Sequence, residues 1–219
     1  MFKWFRTTGG GLQQVEQLFT GMLHDGRRAF DLARHVRLDG ADPAATVDEL
    51  LRTEARTDQA EQHIRRLILV HASVAGSADV PACLMYMSVA KDAERIADLS
   101  KNVFGIAEAA GSVPRGLVRD DMAGLCDAIS PMIAEAARIF AEDDPDAADV
   151  FIDRARELQE RCKSRITELL RGDGDPVQPA ASVLTYRQLS RILANLLNIV
   201  SAVVMPLDLM DYPEPDTEV

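Results

Sequence analysis

Apolar residues return at helical intervals along almost the whole chain. Leu12, Val15, Phe19, Met22, Ala29, Ala33 and Val36 are three, four or seven positions apart, the spacing that lines one face of an α-helix. The turn DGADP follows, and its Asp42-Pro43 pair predicts a helix start, with Asp as cap and Pro in the first turn. A second helix should run to about Val74, where AGSADVP breaks it, and a third from about Pro81 to Ala110. After GSVPRG, residues 111–116, the plan begins again. Val118, Met122, Leu125, Ile129, Met132, Ala136 and Ile139 form a fourth stripe. EDDPDA restarts a fifth helix bearing Phe151, Leu158, Cys162 and Leu169. Beyond GDGDPVQP, a sixth carries Leu189, Ile192, Leu196, Ile199 and Val203.

Three helices, a linker and three more predict an all-α fold of two pseudo-symmetric antiparallel three-helix bundles. The expected divisions are a flexible N-terminus over 1–11, a first repeat over 12–110 and a second over 117–211. An acidic, Pro-rich and disordered tail is expected over 212–219. Local sequence supports the repeat. SKNVFGIAE after Arg95-Ile96 parallels LLNIVSAVV after Arg191-Ile192, which places Asn102 and Asn198 at equivalent positions.

Composition narrows the function classes. Apolar residues make up 47% of the chain but aromatic ones only 5%, which suits a Leu-, Ile-, Val- and Ala-packed bundle better than a sheet. With 24 basic residues against 35 acidic ones, the net charge of -11 repels nucleic acid. Cys83, Cys126 and Cys162 have no C-x-x-C spacing and lie on apolar stripes, which points to reduced thiols and a cytoplasmic location. The start, MFKWFRTTGGG, lacks the apolar segment of a secretory signal, and no stretch is apolar for long enough to span a membrane. Phe2, Trp4 and Phe5 alternate with Lys3 and Arg6, a pattern able to touch lipid, although a frayed terminus is the simpler reading.

The candidate chemistry lies in two acidic pairs. Glu54 and Asp58 are four apart on the second helix, and Glu94 and Asp98 are four apart on the third, so each pair shares a face at the flank of its apolar stripe. A short connection should pack these helices antiparallel and bring four carboxylates to one seam. Such a cluster repels itself unless it holds a cation, and all-oxygen ligation suits Mg²⁺, Ca²⁺, Mn²⁺ or iron, with zinc also admitted.

The run KDAERIADLSKNVFGIAE, residues 91–108, resembles the PhoU family through Glu94, Arg95, Ile96, Asp98 and Asn102. Glu54-Ala-Arg-Thr-Asp58 fits the other half of that family's paired [ED]-x-x-x-D motif. The resemblance implies two three-helix bundles, with multinuclear metal clusters at the motif pairs in some members. It also implies a negative regulator of phosphate uptake and phosphate-starvation signalling that works by docking. The implied partners are the ATPase subunit of a phosphate ABC transporter and a sensor histidine kinase. Membrane association would come only through those partners, and a homodimer is allowed. The second repeat departs from the motif: Ser190 and Ala194 replace the acidic pair of the last helix. Asp149 and Asp153 keep the spacing on the fifth helix but project away from its apolar stripe, so at most one metal site is expected.

Other readings fit less well. A ferritin-like di-metal enzyme needs Glu-x-x-His motifs, and none of His24, His35, His63 or His71 has an acid three residues before it. His71-Ala-Ser-Val-Ala-Gly-Ser-Ala resembles a histidine-phosphotransfer signature but has Ala75 where that family carries Lys. No phosphate-binding G-x-x-x-x-G-K-[ST] loop occurs, and no nucleophile–base pair can be named, so no enzyme is expected. A PhoU-like accessory protein for another ion or phosphate transporter is the closer alternative.

Overall fold

A computed structural model describes residues 10–74, 77–172 and 177–206. The expected lipid-touching Phe2, Trp4 and Phe5, and the tail over 212–219, lie outside the described residues. Among the described residues six helices follow one another: α1 (Gly10–Asp39), α2 (Pro43–Val74), α3 (Val80–Ala110), α4 (Leu117–Glu142), α5 (Pro145–Arg171) and α6 (Val177–Val204). A single 3-10 turn, Ser77–Asp79, leads into α3, and no strand occurs among the described residues. The fold class is the one that the apolar periodicity predicts.

Local chemistry sets the breaks. Asp42 Oδ1 accepts from the Ala44 N–H at 3.0 Å, and Asp144 Oδ1 accepts from the Ala147 N–H at 3.0 Å, so an Asp-Pro pair opens both α2 and α5. Gly111 closes α3 at φ +74°, a conformation that costs a side-chain-bearing residue more, and its N–H bonds Ala107 O at 2.8 Å. Pro131 sits inside α4 without ending it. The carbonyl it leaves unbonded belongs to Asp127, on the exposed side of the helix, where water can satisfy it.

The first three helices form an antiparallel bundle in which each packs on both others. Gly26 lets α1 approach α3 closely, since a Cβ there would stand 3.2 Å from Ile96 Cγ2. The second three helices are less symmetric. α6 packs extensively on α5 and also on α3, whereas α4 leans more on α1 than on α5. Burial explains the difference. α4 buries Met122, Leu125, Cys126, Ile129, Met132, Ile133 and Phe140 on a wide surface, while α5 buries a narrow stripe of Ala148, Phe151, Ile152, Ala155 and Cys162. Phe19 of α1, Tyr86 of α3 and Phe140 of α4 meet with ring centroids 4.6 to 6.0 Å apart, joining the two halves in one core.

Candidate functional site: the seam between α2 and α3

The side of α2 that faces the bundle is unusually polar. Its buried residues are Thr46, Leu50, Thr53, Thr57, Glu61, Ile64 and Ile68. Thr53 and Thr57 satisfy their hydroxyls within the helix, donating to Glu49 O at 2.8 Å and Glu54 O at 2.7 Å. α3 is apolar by contrast, with Ala90, Ala93, Ile96, Ala97 and Leu99 fully buried. α2 packs on α3, and Glu94 and Asp98 lie beside that contact as half-buried residues.

Glu54, Asp58, Glu94 and Asp98 all lie along this seam, and Glu54, Glu94 and Asp98 pair with lysines of α3. Lys101 Nζ donates to Glu54 Oε1 across the seam and lies 3.4 Å from Asp98 Oδ1 on its own helix. Lys91 Nζ donates to Glu94 Oε2 at 2.6 Å and stands 3.8 Å from Glu61 Oε1 of α2. Arg65 closes on Glu61 at 2.7 Å from the next turn of α2. Glu61, Lys91 and Lys101 were not anticipated as site residues. Their signal was present in the spacing: Glu61 is three after Asp58, Lys91 three before Glu94, and Lys101 three after Asp98.

The electrostatics follow from that arrangement. Burial raises the Asp58 carboxyl above its ordinary value, the charges of Glu54 and Glu94 add to the effect, and Lys101 and Lys91 oppose it. Burial works against the Lys101 ammonium, yet the hydrogen bond and charge of Glu54, with help from Asp98, outweigh it and raise its pKa. Among the described residues, no three His, Cys, Asp or Glu side chains gather closely enough to hold a metal ion. As arranged, this donor set does not fit the multinuclear cluster that the resemblance implies.

The second half is built differently. Asp149 and Asp153 are exposed on α5. The position expected to match Glu94 is Ser190, buried, whose carbonyl accepts from Gln159 Nε2 at 3.3 Å in place of an ionic bridge. Asn102 is exposed, while its expected counterpart Asn198 reaches across the halves and donates to Asp92 Oδ1 at 3.0 Å. The buried charge of this half is Asp121 on α4, which the spacing of acids did not single out. It accepts from Arg161 Nη2 at 2.6 Å, Arg165 Nη2 at 3.1 Å and the Tyr186 hydroxyl at 2.9 Å.

No curated protein matches the chain. The family model of the PhoU domain matches residues 19–107, most of α1, all of α2 and nearly all of α3, so the acidic seam falls inside it. Residues 19–107 of this chain are similar to the PhoU domain.

Proposed function

We propose that this protein restrains phosphate uptake and phosphate-starvation signalling by docking onto other proteins in the cytoplasm. The observation that carries the reading is the PhoU domain match over 19–107, because the family's broad role is regulation of phosphate transport. The partners in this reading are the ATPase subunit of a phosphate ABC transporter and a sensor histidine kinase. A docking protein acts by binding one conformation of its partner better than another, which shifts the partner's population. No helix among the described residues is long and apolar enough to cross a membrane, so contact with a transporter would be peripheral. With a net charge of -11, encounter with basic patches should slow as salt rises.

Catalysis has no part in this reading. Burial pushes the Cys126 and Cys162 thiols up to about 12 and raises Cys83 as well, which leaves little thiolate at neutral pH. His71 is held by Asp79 at 2.9 Å beside the α2–α3 turn, an arrangement that ties the turn together. Two observations favour the alternative of an accessory protein for another transporter. The family match stops at residue 107, and Ser190 and Ala194 stand where the acidic pair of a second repeat is expected.

Deleting the gene should leave phosphate-starvation genes active, or phosphate uptake unrestrained, in phosphate-rich medium. If the deletion strain represses those genes and takes up phosphate normally, while the protein co-purifies with a different transporter, the accessory reading replaces this one. Turnover of a small molecule by the isolated protein would sink both.

A further inference from the structure

Five carboxylates, Glu54, Asp58, Glu61, Glu94 and Asp98, share the seam between α2 and α3. Packed this closely they need positive charge nearby, or the helices would be pushed apart. We propose that the chain supplies it: Lys91 and Lys101 stand in place of a divalent ion, and this domain keeps its seam closed without metal.

Each lysine does what a bridging metal would do, which is to join a carboxylate of one helix to a carboxylate of the other. Lys101 couples Glu54 of α2 to Asp98 of α3, and Lys91 couples Glu61 of α2 to Glu94 of α3. Asp58 lies between the two bridges, where it feels both ammonium groups as well as Glu54 and Glu94. The bridged carboxylates of Glu54, Glu61 and Glu94 are only 17%, 8% and 13% exposed, so mobile counter-ions have poor access and a fixed cation is the effective one. Both lysines rise from α3 itself, three residues outside its acidic pair on either side, so no loop needs to move to bring them in.

The same geometry opposes a metal. A hard divalent ion seeks six or more oxygen ligands, and here oxygens of Glu54 and Glu94 accept hydrogen bonds from ammonium groups. An entering ion would have to displace a lysine and then stand beside its charge. Metal would therefore be no input to this domain. This inference does not depend on the phosphate-regulator reading, since a regulator can work through either kind of seam.

Thermal melts and calorimetric titration with Mn²⁺ test it. The wild-type midpoint should stay unchanged in millimolar Mn²⁺, with no titration heat of binding. The Lys91→Met/Lys101→Met variant keeps the side-chain length and loses both charges. It should melt lower than wild type and regain midpoint as Mn²⁺ is added, and Glu54→Gln on that background should abolish the recovery. If the double variant fails to fold, Lys101→Met alone opens one bridge and should show the same gain of Mn²⁺ response. Micromolar Mn²⁺ binding by the wild type, lost in Glu54→Gln/Glu94→Gln, would overturn the proposal, as would folded lysine variants that gain no response.

Discussion

At Asp121, three donating side chains decide the state of one buried carboxyl. Burial alone would raise it, but hydrogen bonds from Arg161, Arg165 and Tyr186 together hold it below its ordinary value of 3.8. A depressed folded pKa contributes stability that is fully present above the unfolded value and is lost as pH falls through the folded one. Asp121→Ala should therefore cost about 2–3 kcal/mol near neutrality, less than for a fully buried pair because both arginines reach solvent. Urea melts at about pH 7 and about pH 3 should show the gap between variant and wild type shrinking in acid. A gap that holds constant with pH would mean that the loss is one of packing. The effect on Tyr186 has the same cause from the other side: burial first, then the adjacent carboxylate, raises its phenol.

Where α1 ends, one side chain joins three elements. Arg37 lies in its last turn, where a cation suits the helix dipole, yet it is 1% exposed and burial lowers its pKa. Its Nη1 donates to Gly111 O at 2.6 Å and its Nε to Thr185 Oγ1 at 3.2 Å, while its own carbonyl accepts from the Val113 N–H at 2.9 Å. One residue thus ties α1, the linker and α6. Arg37→Ala should release the linker locally and speed tryptic cleavage at the exposed Arg115, about tenfold for each 1.4 kcal/mol by which opening becomes easier. Unchanged cleavage would show that the linker is held by Val113 and its backbone bond instead. The helix breaks themselves were legible in sequence, because Asp-Pro starts and the Gly111 stop act over a few residues. What the linker grips was not, because Arg37 and Thr185 are 148 positions apart.

In the whole molecule the halves share a core. The contact of Phe19, Tyr86 and Phe140 draws α4 onto α1 and α3, and the same buried cluster continues into α5 and α6. Two bundles fused in this way should unfold together, with calorimetric and van't Hoff enthalpies equal. Phe140→Ala should cost about 3–5 kcal/mol and still melt in a single transition. If it splits the melt into two steps, the halves are stable separately and the aromatic contact only docks them.

Sequence alone determined the helices and the faces on which the acids sit, since a 3.6-residue period places Glu54 with Asp58 and Glu94 with Asp98 whatever lies opposite. It also carried enough of the motif for a match to the PhoU domain that takes in α2 and nearly all of α3. Only the tertiary structure decided what those acids meet. Lys101 and Glu54 are 47 positions apart, and which side chain crosses to which depends on how α2 slides along α3. That register is set by packing between the two helices, and no local pattern encodes it. The same dependence turned Asp121 into a buried ion and left Asp149 and Asp153 in water, although all three are acids on amphipathic helices.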